Sequence, residues 1–232
     1  MNEHYVSAVI LAAGSSSRMH SDTTKQLMNL SGKSILQRSL EAYQKSSAVN
    51  EIIVVARECE ISAVSKMVDD CDKVKCVVIG GKSRAESAKT GFYAISEKSD
   101  FVAFHDAARC MISVSDIEKV ISDAFRYGAA TASIFVTDTV KEVDECGYIK
   151  FTHNRSLMRF VQTPQVFSCE LYRKALEKID INDPRITDDN FLLENISYPV
   201  FCTETSALNF KITTPEDVKY ADFLLKGERE FD

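Results

Sequence analysis

The first stretch able to do chemistry follows an apolar run, Val6 to Leu11, and consists of small residues and two cations. Its loop is Ala12-Ala13-Gly14-Ser15-Ser16-Ser17, and Arg18 and Lys25 follow it. Such a loop lets a ligand approach the main chain, whose successive N–H groups can form an anion-binding nest. The stretch therefore predicts a triphosphate site at the end of the first strand. An ordinary strand-to-helix turn with two solvated cations is the alternative.

The second stretch, Gly80-Gly81-Lys82-Ser83-Arg84, places a glycine turn before a helix that contains Ser87. Glycines there let the main chain approach a base or a ribose, and Ser87 falls about one turn into the helix. A Gly-Gly pair before a helix is often only a turn, and Arg84 is equally consistent with a surface position. The stretch therefore indicates nucleotide binding only in combination with the others.

The third stretch ends a strand in His105-Asp106-Ala107-Ala108-Arg109. A carboxylate at a strand end suits Mg²⁺, which prefers oxygen ligands and usually keeps waters and substrate phosphates around it. Asp106 is therefore a candidate metal ligand, with a helix cap or a salt bridge to Arg109 as the alternatives. His105 is interpreted as structural, because a phosphate nucleophile is already anionic and needs no general base.

Motif spacing and charge exclude several other classes of protein. No second glycine stands two residues after Gly14, and the first loop has no Gly-Lys-Ser/Thr ending, so the dinucleotide fingerprint and the P-loop both fail. The net charge of −6 over 232 residues gives no electrostatic case for nucleic-acid binding. Any phosphate site must therefore be a local cationic pocket in an acidic protein.

The cysteine content bears on the compartment in which the protein works. Seven cysteines are scattered through the chain without a Cys-x-x-Cys pair, and only four histidines accompany them. This pattern argues against a disulfide framework or a zinc site and favours reduced, cytoplasmic thiols. No apolar run approaches the length of a membrane span, and no signal peptide precedes the first strand, so we expect no membrane association.

Strands alternate with helices over the first half of the chain. This alternation predicts an α/β fold with a parallel sheet, in which ligands bind beyond the carboxyl ends of the strands. Gly14, Gly80-Gly81 and Asp106 all fall at that edge. The predicted strands are Val6 to Leu11, Glu51 to Ala56, Lys75 to Ile79 and Phe101 to Phe104, and the predicted helices are Ser34 to Ser46, Ile61 to Met67, one after Gly81 and one capped by Ser115 and Glu118.

From about Ala129 the pattern changes, and a hairpin is predicted at Thr139 to Thr152 with Gly147 in its turn. A hairpin cannot bury both faces alone, so it either reaches a partner subunit or lies as a flap on its own domain. We find no linker and predict a single domain, residues 1–232, with a β-arm at about 137–155. The other predicted elements are a strand at Ala129 to Val136, helices at Ser168 to Glu177 and Thr187 to Asn195, a strand at Pro199 to Cys202 and a final helix from Thr214-Pro215-Glu216-Asp217.

Taken in order, the motifs resemble those of the 2-C-methyl-D-erythritol 4-phosphate cytidylyltransferases, cytosolic enzymes of the non-mevalonate isoprenoid pathway. The ordered set covers nearly the whole chain and is far more specific than any one motif. The matching segments are Leu11-Ala12-Ala13-Gly14, Arg18-Met19, Lys25-Gln26, Gly80-Gly81 with Arg84 and Ser87, His105-Asp106-Ala107-Ala108-Arg109, Asp138-Thr139, Gln162-Thr163-Pro164-Gln165, Thr187-Asp188-Asp189, Asn209-Phe210-Lys211-Ile212-Thr213 and Pro215-Glu216-Asp217.

The resemblance implies an α/β fold of the Rossmann-like nucleotidyltransferase type, a three-layer sandwich with a mostly parallel sheet and a protruding β-arm. It implies a cytoplasmic homodimer interlocked through that arm. The implied reaction converts CTP and 2-C-methyl-D-erythritol 4-phosphate into CDP-methylerythritol and pyrophosphate, with Mg²⁺.

The resemblance also assigns roles to the matching residues. Arg18 and Lys25 would stabilise charge on the α-phosphate, and Asp106 remains the candidate metal ligand. Arg155 and Lys211 would position the polyol phosphate, and Arg155 would act together with Thr139 in the partner subunit's site. The implied nucleotide contacts are Ala12, Ala13, Gly14, Ser15, Gly81, Ser87 and Ala107, and the implied polyol-phosphate contacts are Arg109, Thr139, Thr163 and Thr187.

The sequence departs from the family pattern at five positions. The family usually has glycine at the first of them and proline at the next three, and an acidic residue is common at the last. The prolines and the glycine shape the backbone, so their loss leaves the cations intact but predicts looser geometry, whereas the last departure could alter polyol recognition. The five positions are Ser16, Thr24, Cys110, Phe135 and Leu208.

Two other functions stay open at this point. Ribitol 5-phosphate cytidylyltransferases are close relatives, but they more often carry Ala-Gly-Gly in the first loop and a valine before the arginine of the third stretch. Ala12-Ala13-Gly14 and Ala107-Ala108-Arg109 therefore favour the methylerythritol branch. A non-catalytic nucleotide-binding protein is the other alternative, and the retained cations argue against it.

Overall fold

The computed structural model describes residues 4–14 and 24–230, and eleven strands and seven α-helices lie within them. The strands are β1 Val6–Leu11, β2 Asn29–Leu30, β3 Lys33–Ser34, β4 Glu51–Ala56, β5 Val74–Ile79, β6 Phe101–Asp106, β7 Ala129–Phe135, β8 Lys141–Val143, β9 Ile149–Thr152, β10 Arg159–Ser168 and β11 Phe201–Glu204. The helices are α1 Ile35–Lys45, α2 Ile61–Val68, α3 Arg84–Tyr93, α4 Val114–Tyr127, α5 Cys169–Leu176, α6 Asn190–Asn195 and α7 Pro215–Glu230.

Seven of these strands form a central sheet in the order β11-β7-β10-β6-β1-β4-β5. β10 pairs antiparallel with both of its neighbours, and the other pairs are parallel. Every residue of β1, β4 and β6 is buried, as expected for parallel strands covered on both faces. The predicted mostly parallel sheet is confirmed.

Helices cover both faces of this sheet and give it two apolar cores. Leu40 of α1, Val64 of α2 and Ile117 of α4 pack on one face. Phe92 of α3 and Tyr172 of α5 pack on the other, together with residues of α6. The fold is therefore an α/β/α three-layer sandwich of the Rossmann-like type, as predicted.

Local capping explains where two of the helices begin. Ser34 and Gln37 form the predicted reciprocal capping box at the start of α1. The predicted cap of α4 at Ser115 and Glu118 is wrong, because Ser113 accepts a hydrogen bond from the Asp116 N–H at 3.0 Å and α4 begins one residue later. The Glu118 carboxylate instead accepts hydrogen bonds from the loop after α1.

In the second half the largest departure from expectation is β10, which the sequence did not predict. It contains Pro164, which has no N–H for the ladder, and its register with β7 shifts between Val161 and Gln165. The Thr163–Pro164 peptide is cis. The predicted helix at Thr187 to Asn195 begins only at Asn190, and the predicted strand at Pro199 to Cys202 lies two residues later, as β11.

The predicted hairpin is present as β8 and β9, with Gly147 in the left-handed region at φ +87°. All seven residues of its two strands are exposed. The assignment of residues 1–232 to one domain stays a prediction. Among the helices of the described residues, none is both long enough and apolar enough to span a membrane.

Candidate active site

A cavity of about 290 Å³ opens at the carboxyl edge of the sheet, next to the ends of β1 and β6. It brings together loops that lie as much as 200 residues apart in the chain. The cavity is lined by Leu11, Ala13, Gly14, Lys25, Gln26, Gly81, Lys82, Ser83, Arg84, Ser87, Asp106, Ala108 and Lys211.

The loop after β1 forms one wall of the cavity. The Ala12 N–H donates to the Val55 carbonyl at 2.7 Å, which continues the sheet pairing one residue beyond β1. The Gly14 carbonyl accepts a hydrogen bond from Gln26 Nε2 at 3.2 Å. Ala107, which is also a predicted nucleotide contact, is fully buried, and its N–H donates to the Leu11 carbonyl. Two predicted contacts, Ser15 and Arg18, lie outside the described residues.

Gly81 lies on the cavity wall, and the Gly80-Gly81 turn packs against the loop after β1 too closely for a larger residue at Gly80. A Cβ atom on Gly80 would lie 2.5 Å from the Ala13 side chain, so the two loops can meet only if this residue is glycine. The Gly81 N–H donates to Ser87 Oγ at 3.1 Å, and that hydroxyl donates to the Ser83 carbonyl at 2.9 Å. Ser87 therefore holds the turn in place against the start of α3.

Asp106, the last residue of β6, is the carboxylate on the cavity wall and is almost completely buried. Its Oδ2 accepts from Lys211 Nζ at 2.8 Å, and its Oδ1 accepts from Arg84 Nε at 3.2 Å. Burial alone would raise the pKa of Asp106, but Arg84 and then Lys211 hold that pKa well below its usual range. The carboxylate is therefore ionised. The alternative of a salt bridge from Asp106 to Arg109 is wrong.

Arg84 is half-buried, with 26% of its side chain exposed, and it is not the unpaired surface residue that the sequence left open. Its guanidinium bridges two carboxylates, because Nη1 also donates to Asp189 Oδ2 at 2.7 Å. Asp189 and Asp106 raise the pKa of Arg84 against the opposing effect of burial. In the sequence, Arg84 and Asp189 stand in two separate motifs, and the pair between them was not predicted. No local pattern connects two residues that lie 105 positions apart.

Two lysines place positive charge beside the cavity from opposite ends of the chain. Lys25 Nζ donates to the Ile212 carbonyl at 3.1 Å, and the Lys25 side chain is largely buried. Lys211, one residue before that carbonyl, forms the ion pair with Asp106. The segment at 211–212 therefore fixes one lysine through its main chain and carries the other.

His105 lies behind the cavity and is fully buried. Its Nδ1 is 3.0 Å from Thr163 Oγ1, and its Nε2 is 3.3 Å from the Arg109 carbonyl. Burial lowers the pKa of His105 to about 3, so the imidazole is neutral at physiological pH. These contacts support the interpretation of His105 as structural.

Thr163 and Arg109 lie near the cavity but not on its wall. Thr163 Oγ1 accepts a hydrogen bond from the Asp106 N–H at 3.1 Å, which ties the end of β6 to β10. Arg109 Nη1 donates to the Asn209 carbonyl at 3.0 Å, while Arg109 Nε is buried without a hydrogen-bond partner in the part of the chain that the structure describes. Burial lowers the pKa of Arg109.

The structure does not bring Thr139, Arg155 or Thr187 to this cavity. All three side chains are exposed, and none of them lines the cavity wall. Arg155 Nη1 donates to the Thr137 carbonyl at the base of the hairpin. Within one chain the predicted polyol-phosphate contacts are therefore divided between the cavity region, the hairpin and the segment before α6.

The donor set bears on whether a metal fits here. No group of three or more His, Cys, Asp or Glu side chains that could hold a metal occurs within residues 4–14 and 24–230. Among the described residues that line the cavity, Asp106 alone carries a carboxylate. One carboxylate matches Mg²⁺ held mainly by waters and substrate phosphates, and does not match a metal held by protein side chains alone.

Comparison with known proteins identifies what shares this arrangement. The family model described as IspD, 2-C-methyl-D-erythritol 4-phosphate cytidylyltransferase, matches residues 6–227. A cytidylyltransferase of that name from Clostridium botulinum (strain 657 / Type Ba4) is 37% identical over 222 residues, which is 95% of this chain and 97% of the relative. One from Endomicrobium trichonymphae is 38% identical over 223 residues, with 95% and 98% covered.

A solved structure agrees with the sequence comparison. The crystal structure of a 4-diphosphocytidyl-2C-methyl-D-erythritol synthase from Anaerococcus prevotii DSM 20548 superposes with a TM-score of 0.87 at 28% identity. The match covers 96% of each chain. The likeness therefore extends over nearly the whole of both chains.

Proposed function

The chain belongs to the 2-C-methyl-D-erythritol 4-phosphate cytidylyltransferase family, and we propose on that basis that it transfers a cytidylyl group from CTP to 2-C-methyl-D-erythritol 4-phosphate. The products are CDP-methylerythritol, an isoprenoid precursor, and pyrophosphate. The observation that carries this function is the cavity in which Lys25, Asp106 and Lys211 face two glycine-containing loops.

The reaction replaces one phosphorus–oxygen bond with another. A phosphate oxygen of the polyol phosphate attacks the α-phosphorus of CTP, and the bond from that phosphorus to the bridging oxygen of the β-phosphate breaks. Attack joins two anions, so catalysis consists mainly of positioning and charge stabilisation. Lys25 and Arg18 are the groups that we assign to the charge on the α-phosphate.

The nucleotide is assigned to the walls that contain Ala13-Gly14 and Gly81, with Ala12 and Gly80 directly behind them in the chain. Both are main-chain surfaces without bulky side chains, and Ser87 fixes the second of them. Ser15 and Ala107 complete the predicted set of contacts. Main-chain surfaces that approach the base closely leave room for a pyrimidine but not for the larger purine ring. We therefore expect CTP to be preferred over ATP.

Mg²⁺ is proposed at Asp106, whose single carboxylate fits an ion that retains substrate phosphates. When bound there, the ion would neutralise part of the triphosphate charge. Both carboxylate oxygens are engaged by Arg84 and Lys211, so the metal must compete with these cations for Asp106. Release of Lys211 from this pair would make its ammonium group available to the polyol phosphate.

A homodimer is proposed because the hairpin exposes apolar side chains that one chain does not cover. They belong to the hairpin and the short segment after it, and their exposed fractions run from 52% to 80%. Exposing so many large apolar side chains to water is unfavourable, and their concentration on one short segment is typical of an interface. The side chains are those of Val143, Tyr148, Ile149, Phe151 and Leu157.

The homodimer would also account for the divided polyol-phosphate contacts. Thr139 and Arg155 lie at the base of the hairpin, away from their own chain's cavity. We assign them to the site of the partner subunit, where they would act with Lys211, Arg109, Thr163 and Thr187.

We place the enzyme in the cytoplasm, since all seven cysteines are free thiols.

The decisive experiment measures pyrophosphate release by the purified protein with CTP, Mg²⁺ and one polyol phosphate at a time. We expect turnover with 2-C-methyl-D-erythritol 4-phosphate and little with ribitol 5-phosphate, and little turnover when ATP replaces CTP. Faster turnover with ribitol 5-phosphate would assign the chain to the related branch. Tight CTP binding without turnover on any polyol phosphate would indicate a non-catalytic protein.

A further inference from the structure

Asp189 is a buried carboxylate that none of the assignments above uses. It is 1% exposed and lies at the start of α6. Its Oδ1 accepts from the Tyr172 hydroxyl at 2.9 Å, and its Oδ2 accepts from Arg84 Nη1 at 2.7 Å. Its N–H donates to Gln165 Oε1 at 2.9 Å. Three separate elements, α3, α5 and β10, therefore hold this residue in place.

The carboxylate of Asp189 does not serve its own helix. An aspartate at the N-cap usually accepts hydrogen bonds from the first N–H groups of the helix, but Asp189 makes no such capping bond. The preceding residue, Asp188, accepts from the Phe191 N–H instead. The Asp189 side chain is turned away from α6, toward Arg84 and the cavity.

The geometry of Arg84 shows which carboxylate anchors it. Its contact with Asp189, at 2.7 Å, is shorter than its contact with Asp106, at 3.2 Å. A bidentate pair with Asp106 would use Nη2 as well as Nε, yet Nη2 is buried without a partner among the described residues. The guanidinium is therefore held on Asp189 and touches Asp106 through one nitrogen only.

We propose that Asp189 is a positioning residue for the nucleotide site, which anchors Arg84 and so limits its contact with Asp106 to one nitrogen, where Mg²⁺–CTP can compete for the carboxylate. Without the Asp189 charge, Arg84 would be free to form the bidentate pair with Asp106 and would compete with the metal more strongly. The residues that orient a metal-binding carboxylate influence metal affinity in this way. The proposal rests on the proposed function and on Asp106 as the metal ligand.

The test is calorimetric titration of the protein with CTP, with and without Mg²⁺, for the wild type and Asp189→Asn. We expect Asp189→Asn to weaken CTP binding by about 10- to 100-fold in Mg²⁺, the range typical of lost outer-shell partners, and to change metal-free binding less than twofold. In turnover assays the Michaelis constant for CTP should rise by a similar factor, with little change in kcat at saturating Mg²⁺ and CTP.

Asp183→Asn is the matched control, since it converts an aspartate of the same inter-helix segment that pairs with Arg185 at the surface. It should bind Mg²⁺–CTP like the wild type. Tyr172→Phe is the second test variant, because it removes one hydrogen bond to Asp189 and retains the aromatic ring. The centroid of that ring lies 4.7 Å from the centroid of the Phe104 ring. This variant should show a smaller loss in the same direction, and it decides the question if Asp189→Asn does not fold.

Two results would overturn the proposal. One is unchanged Mg²⁺–CTP affinity in folded Asp189→Asn, or in Tyr172→Phe if the first variant is unfolded by circular dichroism. The other is an equal loss of affinity with and without Mg²⁺, which would place the effect outside Asp106. Failure of the wild-type protein to bind CTP would instead contradict the proposed function, so the two failures are distinguishable.

Discussion

Lys211 Nζ lies 2.8 Å from Asp106 Oδ2, so the proposed cation for the polyol phosphate and the proposed metal ligand neutralise each other when no substrate is bound. The two residues are 105 positions apart and come from the end of β6 and the segment before α7. One ion pair thus joins the two substrate regions of the cavity.

We predict that Lys211→Ala raises the Michaelis constant for the polyol phosphate by about 10- to 100-fold and also lowers kcat. The reason is that a hydrogen bond to a charged group contributes about 1.5–3 kcal/mol, and this lysine would hold the nucleophile before and during attack. Steady-state kinetics with varied polyol phosphate measures both constants. Lys226→Ala, which removes a lysine paired with Asp222 on α7, is the control and should leave them unchanged.

Lys25→Ala should give a different kinetic signature. We expect kcat to fall by about two to three orders of magnitude while CTP binding is retained, as for loss of one preorganised donor to a transition-state oxygen. Single-turnover rates and CTP titration together separate the two effects. Lys33→Ala, at a surface lysine paired with Glu41, serves as the comparison. Near-normal kinetics in both Lys25→Ala and Lys211→Ala would refute the assignment of the site.

Thr24 should stabilise the segment that carries Lys25, although the family usually has proline there. Its φ of −64° is the value a proline would impose, and its hydroxyl donates to the carboxylate of the buried Glu60. Thr24→Val leaves that carboxylate without this donor and should lower the free energy of unfolding by about 1–3 kcal/mol in urea titration. Thr90→Val removes a hydrogen bond to a carbonyl of its own helix and should lower the free energy of unfolding by less. An equal decrease in the two variants would count against a stabilising role of the Thr24–Glu60 contact.

The reactivity of the cysteines should follow their burial. Burial raises the pKa of Cys110 to about 11 and that of Cys169 to about 12, so both are almost entirely protonated at pH 8. Since the thiolate is the reactive form, iodoacetamide at pH 8 should leave both thiols unmodified in the folded protein. Peptide mass spectrometry should find Cys59, Cys146 and Cys202, which are exposed, alkylated first. Rapid labelling of Cys110 would show that its packing is looser than described.

The hairpin should be required for dimer formation. Phe151→Asp places a charge in the proposed interface, so we expect a monomer by sedimentation velocity at micromolar concentration and loss of most activity, because Arg155 would no longer reach a second site. Phe223→Asp changes an exposed phenylalanine of α7 and should leave the mass unchanged. A fully active wild-type monomer at that concentration would contradict the role of the hairpin.

Local patterns were sufficient to predict most elements of the first half. The bounds of β1 and β4 follow from short, largely apolar runs rich in β-branched residues, and α1 follows from its capping box and its apolar stripe. They were not sufficient for β10, because Thr163-Pro164-Gln165 interrupts the run with a residue that cannot donate to a sheet. α4 was misplaced by two residues because Ser113 and Ser115 are both acceptable caps.

The site was predictable only in part, for a similar reason. Charged residues beside strand ends or within motifs are candidate site residues, and this was sufficient to predict Asp106, Lys25 and Lys211. The position of Arg84 between two carboxylates depends on the start of α6 lying beside the start of α3, and no single window of sequence contains both. The contact of Thr163 with the main chain of β6 was likewise not predictable, because it depends on β10, which the sequence did not predict.

The antiparallel strand β10 has a consequence for how the molecule assembles during synthesis. A nascent chain that ends before residue 159 already contains both glycine loops, Lys25 and Asp106, but lacks the strand that holds the end of β6 through Thr163 and the start of α6 through Gln165. Contacts this distant in sequence form late, because closing long loops is entropically costly. The binding pocket therefore matures only after the ribosome has delivered the second half of the chain.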